Sequence, residues 1–169
     1  MADHFNAIGI PTSTDWEEGQ RVLDMANGEG VRLQKRLNAL QEAERFIEES
    51  LSGKHKDQRV EIELPLSTQR KVRRAMGRDF GTHNIYANGI IHSKNNHGVG
   101  GMKIDQNSIP LRDEDFKLAP YIMTAPDNVI PGSASSDGRE SIRFEKRLQN
   151  GVVLVVEKEQ KIALMIWIP

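Results

Sequence analysis

The sequence predicts an α+β chain: an N-terminal helical hairpin followed by a small helix-plus-antiparallel-sheet domain. Three observations carry this reading. Apolar residues recur at helical spacing up to Leu51. Short β-rich blocks separated by turn residues fill the chain after Glu140. Between the two regions, the polar and unpatterned Gly53-Lys-His-Lys-Asp-Gln58 places a boundary, giving a helical region 1–58 and a compact domain 59–169.

Each element follows in order. Thr14-Asp-Trp-Glu17 fits a capping box, with a hydroxyl at the N-cap and Glu three residues on. A helix from Asp15 to Asn27 follows, closed by Gly28. A second, from Gly30 to Ser52, carries Leu33, Leu37, Leu40, Ile47 and Leu51 on one stripe, widened by Ala43 and Phe46, and ends at Gly53. Such a hairpin needs a surface to pack on: the domain that follows, a second copy of the chain, or another protein.

Val60, Ile62 and Leu64 alternate with Glu61 and Glu63, a half-buried strand stopped by Pro65. Ser67 to Gly77 reads as a short helix, and five of the nine residues from Arg70 to Arg78 are basic. No aromatic residue is interleaved to stack a base, which favours a solvated helix face over a phosphate-binding one. Asp113 or Asp115 starts a further short helix through Phe116, Leu118, Ala119 and Ile122, ended by Pro126. The segments 141–148, 151–159 and 161–169 then form a three-stranded meander, with turns at Gln149-Asn-Gly151 and Glu159-Gln160. Val152 to Val156 is apolar on both faces and takes the central position.

Composition narrows the chemistry. The 169 residues include no cysteine, which excludes disulfides, thiol catalysis and cysteine–zinc sites and fits a reducing, cytoplasmic setting. No apolar run reaches the roughly 18 residues of a membrane span, and the N-terminus lacks the basic start and apolar run of a signal peptide. Residues 1–58 hold 7 Lys/Arg and 11 Asp/Glu, a net of −4. Residues 59–169 hold 16 and 13, a net of +3, a weak pointer to a polyanion partner for the second region.

Gly89-Ile-Ile-His-Ser-Lys-Asn-Asn-His-Gly98 places His92 and His97 five positions apart. Three readings compete. Two histidines that clasp zinc from one helix sit four apart; a step of five turns them about 140° away from each other. No carboxylate lies between Ile85 and Lys103 to complete a metal site. As structural residues, His97-Gly98 would form a helix C-terminal cap with Gly98 in the left-handed conformation, and His92 would fill the helix side. As an acid/base pair they would serve RNA transesterification: a base takes the ribose 2′-OH proton, and an acid protonates the departing 5′ oxygen. On strand 141–148, Ile142, Phe144 and Leu148 face one way, and Arg143, Glu145 and Arg147 the other. Glu145 is then a candidate base, Arg143 a phosphate partner, and Lys146, on the apolar face, reaches over its rim.

The order of motifs is familiar. A basic helix leads to "THNIYANGIIHSKNNHG", then "LRDEDFKLAPYIMTAPDNVIPG", then "FEKRLQNGVVLVVEKEQKIALMIWI". Over residues 59–169 the chain resembles the phage-associated branch of the barnase/EndoU/colicin/RelE-like ribonuclease superfamily. The resemblance implies a small helix-plus-sheet fold of toxin or effector type that cleaves RNA with no metal and no cofactor. It puts His92 and His97 in or beside the cleft; Arg143, Glu145 and Lys146, which strand 141–148 offers, would be their catalytic helpers, Glu145 as a carboxylate is in some relatives. Arg70, Lys71, Arg74, His83 and Lys94 are then the candidate RNA contacts. The partners implied are RNA and an immunity or antitoxin protein, with homo-oligomer formation through the N-terminal helices and no membrane. The family often carries a hydroxyl residue on its last strand, where this chain has Met165-Ile-Trp-Ile-Pro169. The competing expectation is a non-catalytic phage-associated structural or interaction domain of the same fold.

Overall fold

The computed structural model describes residues 13–102, 109–132, 140–149, 153–159 and 164–167. The chain divides into two compact units, Met1–Asn38 and Ala39–Pro169.

A single helix, α1 (Ser13–Leu51), replaces the expected hairpin. Thr14 lies inside its first turn, and the capping contact expected there lies outside the described side chains. The helix runs through Gly28 and Gly30, neither of which takes a positive φ. Each glycine costs about 1 kcal/mol against alanine, but reversing the chain needs a left-handed residue or a proline. Here the intervening residue is Glu29, a good helix former, and hydrogen bonds of Gln20 to Asp24 and Gln34 to Asn38, both 2.9 Å, brace the exposed surface. Only the last part of the predicted stripe is buried. Ala43 and Ile47 are 0% exposed, whereas Leu37 is 44% and Leu33 63%. The helix ends at Gly53 as the sequence indicates, with φ 90° and its N–H on the Ser50 carbonyl at 3.0 Å.

The unit Ala39–Pro169 is α+β. β1 (Arg59–Glu63) pairs antiparallel with β2 (Thr82–Tyr86), Ile62 opposite His83. Between them runs α2 (Leu66–Met76), capped by Gly77 in the left-handed region at φ 69°. α3 (Ala87–His97) follows β2 directly. α4 (Asp113–Lys117) starts where the Asp115 carboxylate accepts the Arg112 backbone N–H at 2.7 Å, and α5 (Ala119–Thr124) completes this short helical pair.

The second sheet has the order β3-β4-β5-β6: β3 (Asn128–Pro131), β4 (Ser141–Arg147), β5 (Val153–Glu159) and β6 (Leu164–Trp167), all antiparallel. The expected meander is present, with β5 between β4 and β6. Leu154, Val155 and Val156 are all buried, the apolar-on-both-faces pattern of an inner strand. The turns expected at 149–151 and 159–160 fall largely outside the described residues. β2 and β3 were not legible in the sequence. β3 is four residues long and mostly exposed, so it lacks an alternating signature. β2, "THNIY", alternates only weakly, because its inward residues are His83 and Ile85.

One core joins these pieces. Ile142, Phe144, Leu154 and Val156 line one face of the large sheet and cluster with Ile85 and Ile90, with Phe116 and Met123, and with Ile47. Burying a side chain such as Phe144, 0% exposed, is worth about 1.5–3 kcal/mol. No described helix is long and apolar enough to cross a membrane.

Candidate functional site

α3 carries three of the candidate residues. Ala87, Ile90, Ser93 and Asn96 form its buried stripe. Seven residues turn a helix to within about 20° of the start, so His97 falls on the side of Ile90. It is half-buried, and its carbonyl accepts the Leu111 N–H at 2.8 Å. His92 is exposed, about 160° round from Ile90. Because α3 continues unbroken through His97, the two histidines stay about 140° apart and do not meet on one phosphate from this helix.

The His92 ring is held by its neighbour Asn96. The Asn96 side-chain amide donates to the His92 carbonyl at 2.9 Å, which identifies its nitrogen, and the same nitrogen lies 2.9 Å from His92 Nε2. Asn96 thus holds both the backbone carbonyl and the ring of His92 one helical turn back. Lys94 is paired with the Asp113 carboxylate at 2.9 Å, tying the end of α3 to the start of α4.

Gly98 departs from the sequence expectation. Its φ is −73° and ψ 174°, extended rather than left-handed. Residues 98 and 111 form a parallel bridge, and the Gly98 N–H still bonds the Lys94 carbonyl at 2.8 Å. A Cβ at this position would lie 2.6 Å from that carbonyl oxygen. Glycine is required here for close approach, not for its sign of φ.

His83 lies in the core, 4% exposed. Its ring is edge-on to Phe144 at 5.4 Å and tilted against Phe80 at 5.6 Å. A residue so placed supports packing rather than touching a polyanion.

The remaining candidates gather at a second place. Lys71 of α2 donates to the backbone carbonyls of Pro126 at 2.6 Å and Asp127 at 3.0 Å. The Asp127 carboxylate accepts from Lys146 Nζ at 2.9 Å and from the Arg147 backbone N–H at 2.8 Å. The Lys146 hydrogen bond, and then that of the Arg147 amide, hold the Asp127 carboxyl below the usual range. Lys146 shares the Ile142 and Phe144 side of β4, and its ammonium ends on Asp127, just before β3. On the other face of β4, Glu145 accepts from Asn128 at 3.4 Å, a long contact, and is flanked by Arg143 and Arg147. Val155, opposite Glu145, is buried, whereas Glu145 itself is half-buried. Arg70 and Arg74 of α2 are exposed. Arg73 instead clasps Asp79 at 2.5 Å through two nitrogens, and Arg78 pairs with Glu140.

Sequence reasoning missed Asp127 as the organiser of this corner. The available signal was Pro126-Asp-Asn128, a proline followed by two turn-forming residues before a strand.

The two groups sit at opposite edges of the large sheet. α3 lies alongside β6, whereas the Lys71–Asp127–Lys146 corner lies at β3. Three strand spacings of about 4.8 Å put roughly 14 Å between those edges. Among the described residues, no three His, Asp or Glu side chains gather as metal ligands would. No family model, curated protein or solved structure matches the chain.

Proposed function

We propose that residues 59–169 form a metal-independent endoribonuclease domain of the toxin or effector type carried by phages and mobile elements, cleaving RNA by 2′-OH transesterification. The observation that supports this reading best is the basic corner. Lys71 and Lys146 converge on Asp127, whose carboxylate also takes the Arg147 backbone N–H, exposed Arg70 and Arg74 add positive charge along α2, and Glu145 stands between two arginines on β4. Lysines and arginines gathered in this way suit a phosphate chain, and a carboxylate between arginines suits a base that takes the 2′-OH proton while charge on the phosphoryl oxygens is neutralised. His92 is the exposed histidine and the better candidate for the acid; His97 and Lys94 take supporting roles. An immunity or antitoxin protein is the partner such an activity calls for.

One observation favours a second reading. The unbroken α3 directs His92 and His97 apart, which suits a non-catalytic domain of the same fold that binds RNA without cutting it.

The experiment incubates the chain with RNA and matching DNA in EDTA, beside Glu145→Gln, His92→Ala and His97→Ala. The ribonuclease reading expects RNA-only cleavage to 2′,3′-cyclic phosphate ends, with loss of at least about a hundredfold when a proton-transfer residue is removed. Equal cleavage by all three variants removes them from the mechanism. RNA binding without cleavage, its salt slope reduced by about 0.7 for each of Lys71→Ala and Arg74→Ala, selects the second reading.

A further inference from the structure

Every side chain of α1 from residue 17 to residue 38 is exposed, yet a seam runs along this part of the helix. Leu23, Ala26, Gly30, Leu33, Leu37 and Leu40 follow one another at alternating steps of three and four, the spacing of a coiled-coil core. Leu23 is 58% exposed, Leu33 63% and Leu37 44%. The stripe continues through half-buried Leu40 into Ile47, buried within the unit Ala39–Pro169, so the stretch up to Leu37 is the part left exposed. Met25 and Val31, also exposed, lie off the seam.

We propose that this seam binds a second copy of the chain as an antiparallel two-helix coiled coil. The choice of occupant and direction rests on shape and charge together. In the antiparallel register that sets Gly30 against Leu33 of the partner subunit, Ala26 meets Leu37 of the partner subunit, and the outer layers pair Leu23 with Leu40 of the partner subunit. Small residues thus face large ones in the central layers, as a filled seam requires. The same register places Glu29 beside Arg36 of the partner subunit, and two-fold symmetry repeats the pair. A parallel pairing stacks Gly30 on glycine and Ala26 on alanine, leaving two thin layers, and sets Glu29 opposite a glutamine. Self-complementarity of both kinds in one register marks the chain itself as the partner. The inference stands independently of the ribonuclease reading.

The test is sedimentation equilibrium of the full chain over about 1–300 µM, the range in which a short coiled coil dissociates. The expected result is a monomer–dimer equilibrium. Leu33→Asp with Leu37→Asp, both on exposed positions, should raise the dissociation constant at least tenfold while far-UV and near-UV dichroism of the Ala39–Pro169 unit stay unchanged. Glu29→Lys and Arg36→Glu should each weaken the dimer several-fold, and the double variant should recover it, because the swapped charges pair again. A chain that is monomeric throughout overturns the proposal, as does a dimer indifferent to the aspartates. A double charge variant no tighter than either single one overturns the antiparallel register.

Discussion

Replacing Gly98 with alanine separates two explanations of a glycine that follows a helix. A Cβ there would sit 2.6 Å from the Lys94 carbonyl oxygen and 3.3 Å from its carbonyl carbon, where ordinary contacts begin near 3.4 Å. The oxygen must retreat by roughly 0.8 Å, although it also holds the Gly98 N–H at 2.8 Å and belongs to the last turn of α3. Overpacking of this kind costs about 1–3 kcal/mol. With a urea slope of about 1–3 kcal/mol/M, the unfolding midpoint should fall by about 1 M at an unchanged slope. Asparagine should do no better than alanine, because φ of −73° needs no left-handed tolerance. Gly77 is the control. Its φ is 69° and an added Cβ would meet nothing within 4 Å, so alanine should cost about 1 kcal/mol and asparagine should recover most of it. If Gly98→Asn proves clearly more stable than Gly98→Ala, the close-approach argument fails and the glycine serves its conformation instead.

Three further outcomes are expected. Ile47→Ala should destabilise the Ala39–Pro169 unit by about 2–5 kcal/mol by urea titration, whereas Val31→Ala, off the seam, should stay within about 0.5 kcal/mol, since Ile47 is 0% and Val31 70% exposed. Phe144→Ala, which strips the ring that His83 packs against, should cost about 3–5 kcal/mol, and a smaller loss on calorimetry would displace that residue from the centre of the core. The Asp127 carboxyl titrates below its ordinary range, so its contribution is complete above the unfolded value and is lost as pH falls through the folded one. Asp127→Asn should therefore be less stable than the parent chain at neutral pH, with the gap closing below about pH 4; a gap that persists in acid would mean that the ion pair with Lys146 is not its source.

The periodic elements were legible in the sequence by itself. Ile62 and Leu64 marked a strand before Pro65, Gly77 marked the end of α2, and Val153 to Val156 marked the inner strand of the meander, because burial on a known face leaves a repeat that neighbours cannot erase. Where two local preferences were close in energy, tertiary structure or helix continuity decided. Gly28 and Gly30 suggested a stop, but with Glu29 between them and no proline, two small propensity costs did not end a cooperative helix. The fate of the histidines was likewise invisible in their spacing alone. His97 is half-buried because α3 turns it to the side of Ile90, His92 is exposed because the same helix turns it away, and His83 is buried because β2 lays it against Phe144. The corner around Asp127 joins residues from α2, the approach to β3, and β4, which lie some 75 positions apart at the extremes. Such a site exists only once non-local packing has brought those segments together, and no local pattern records which distant charge each residue will meet.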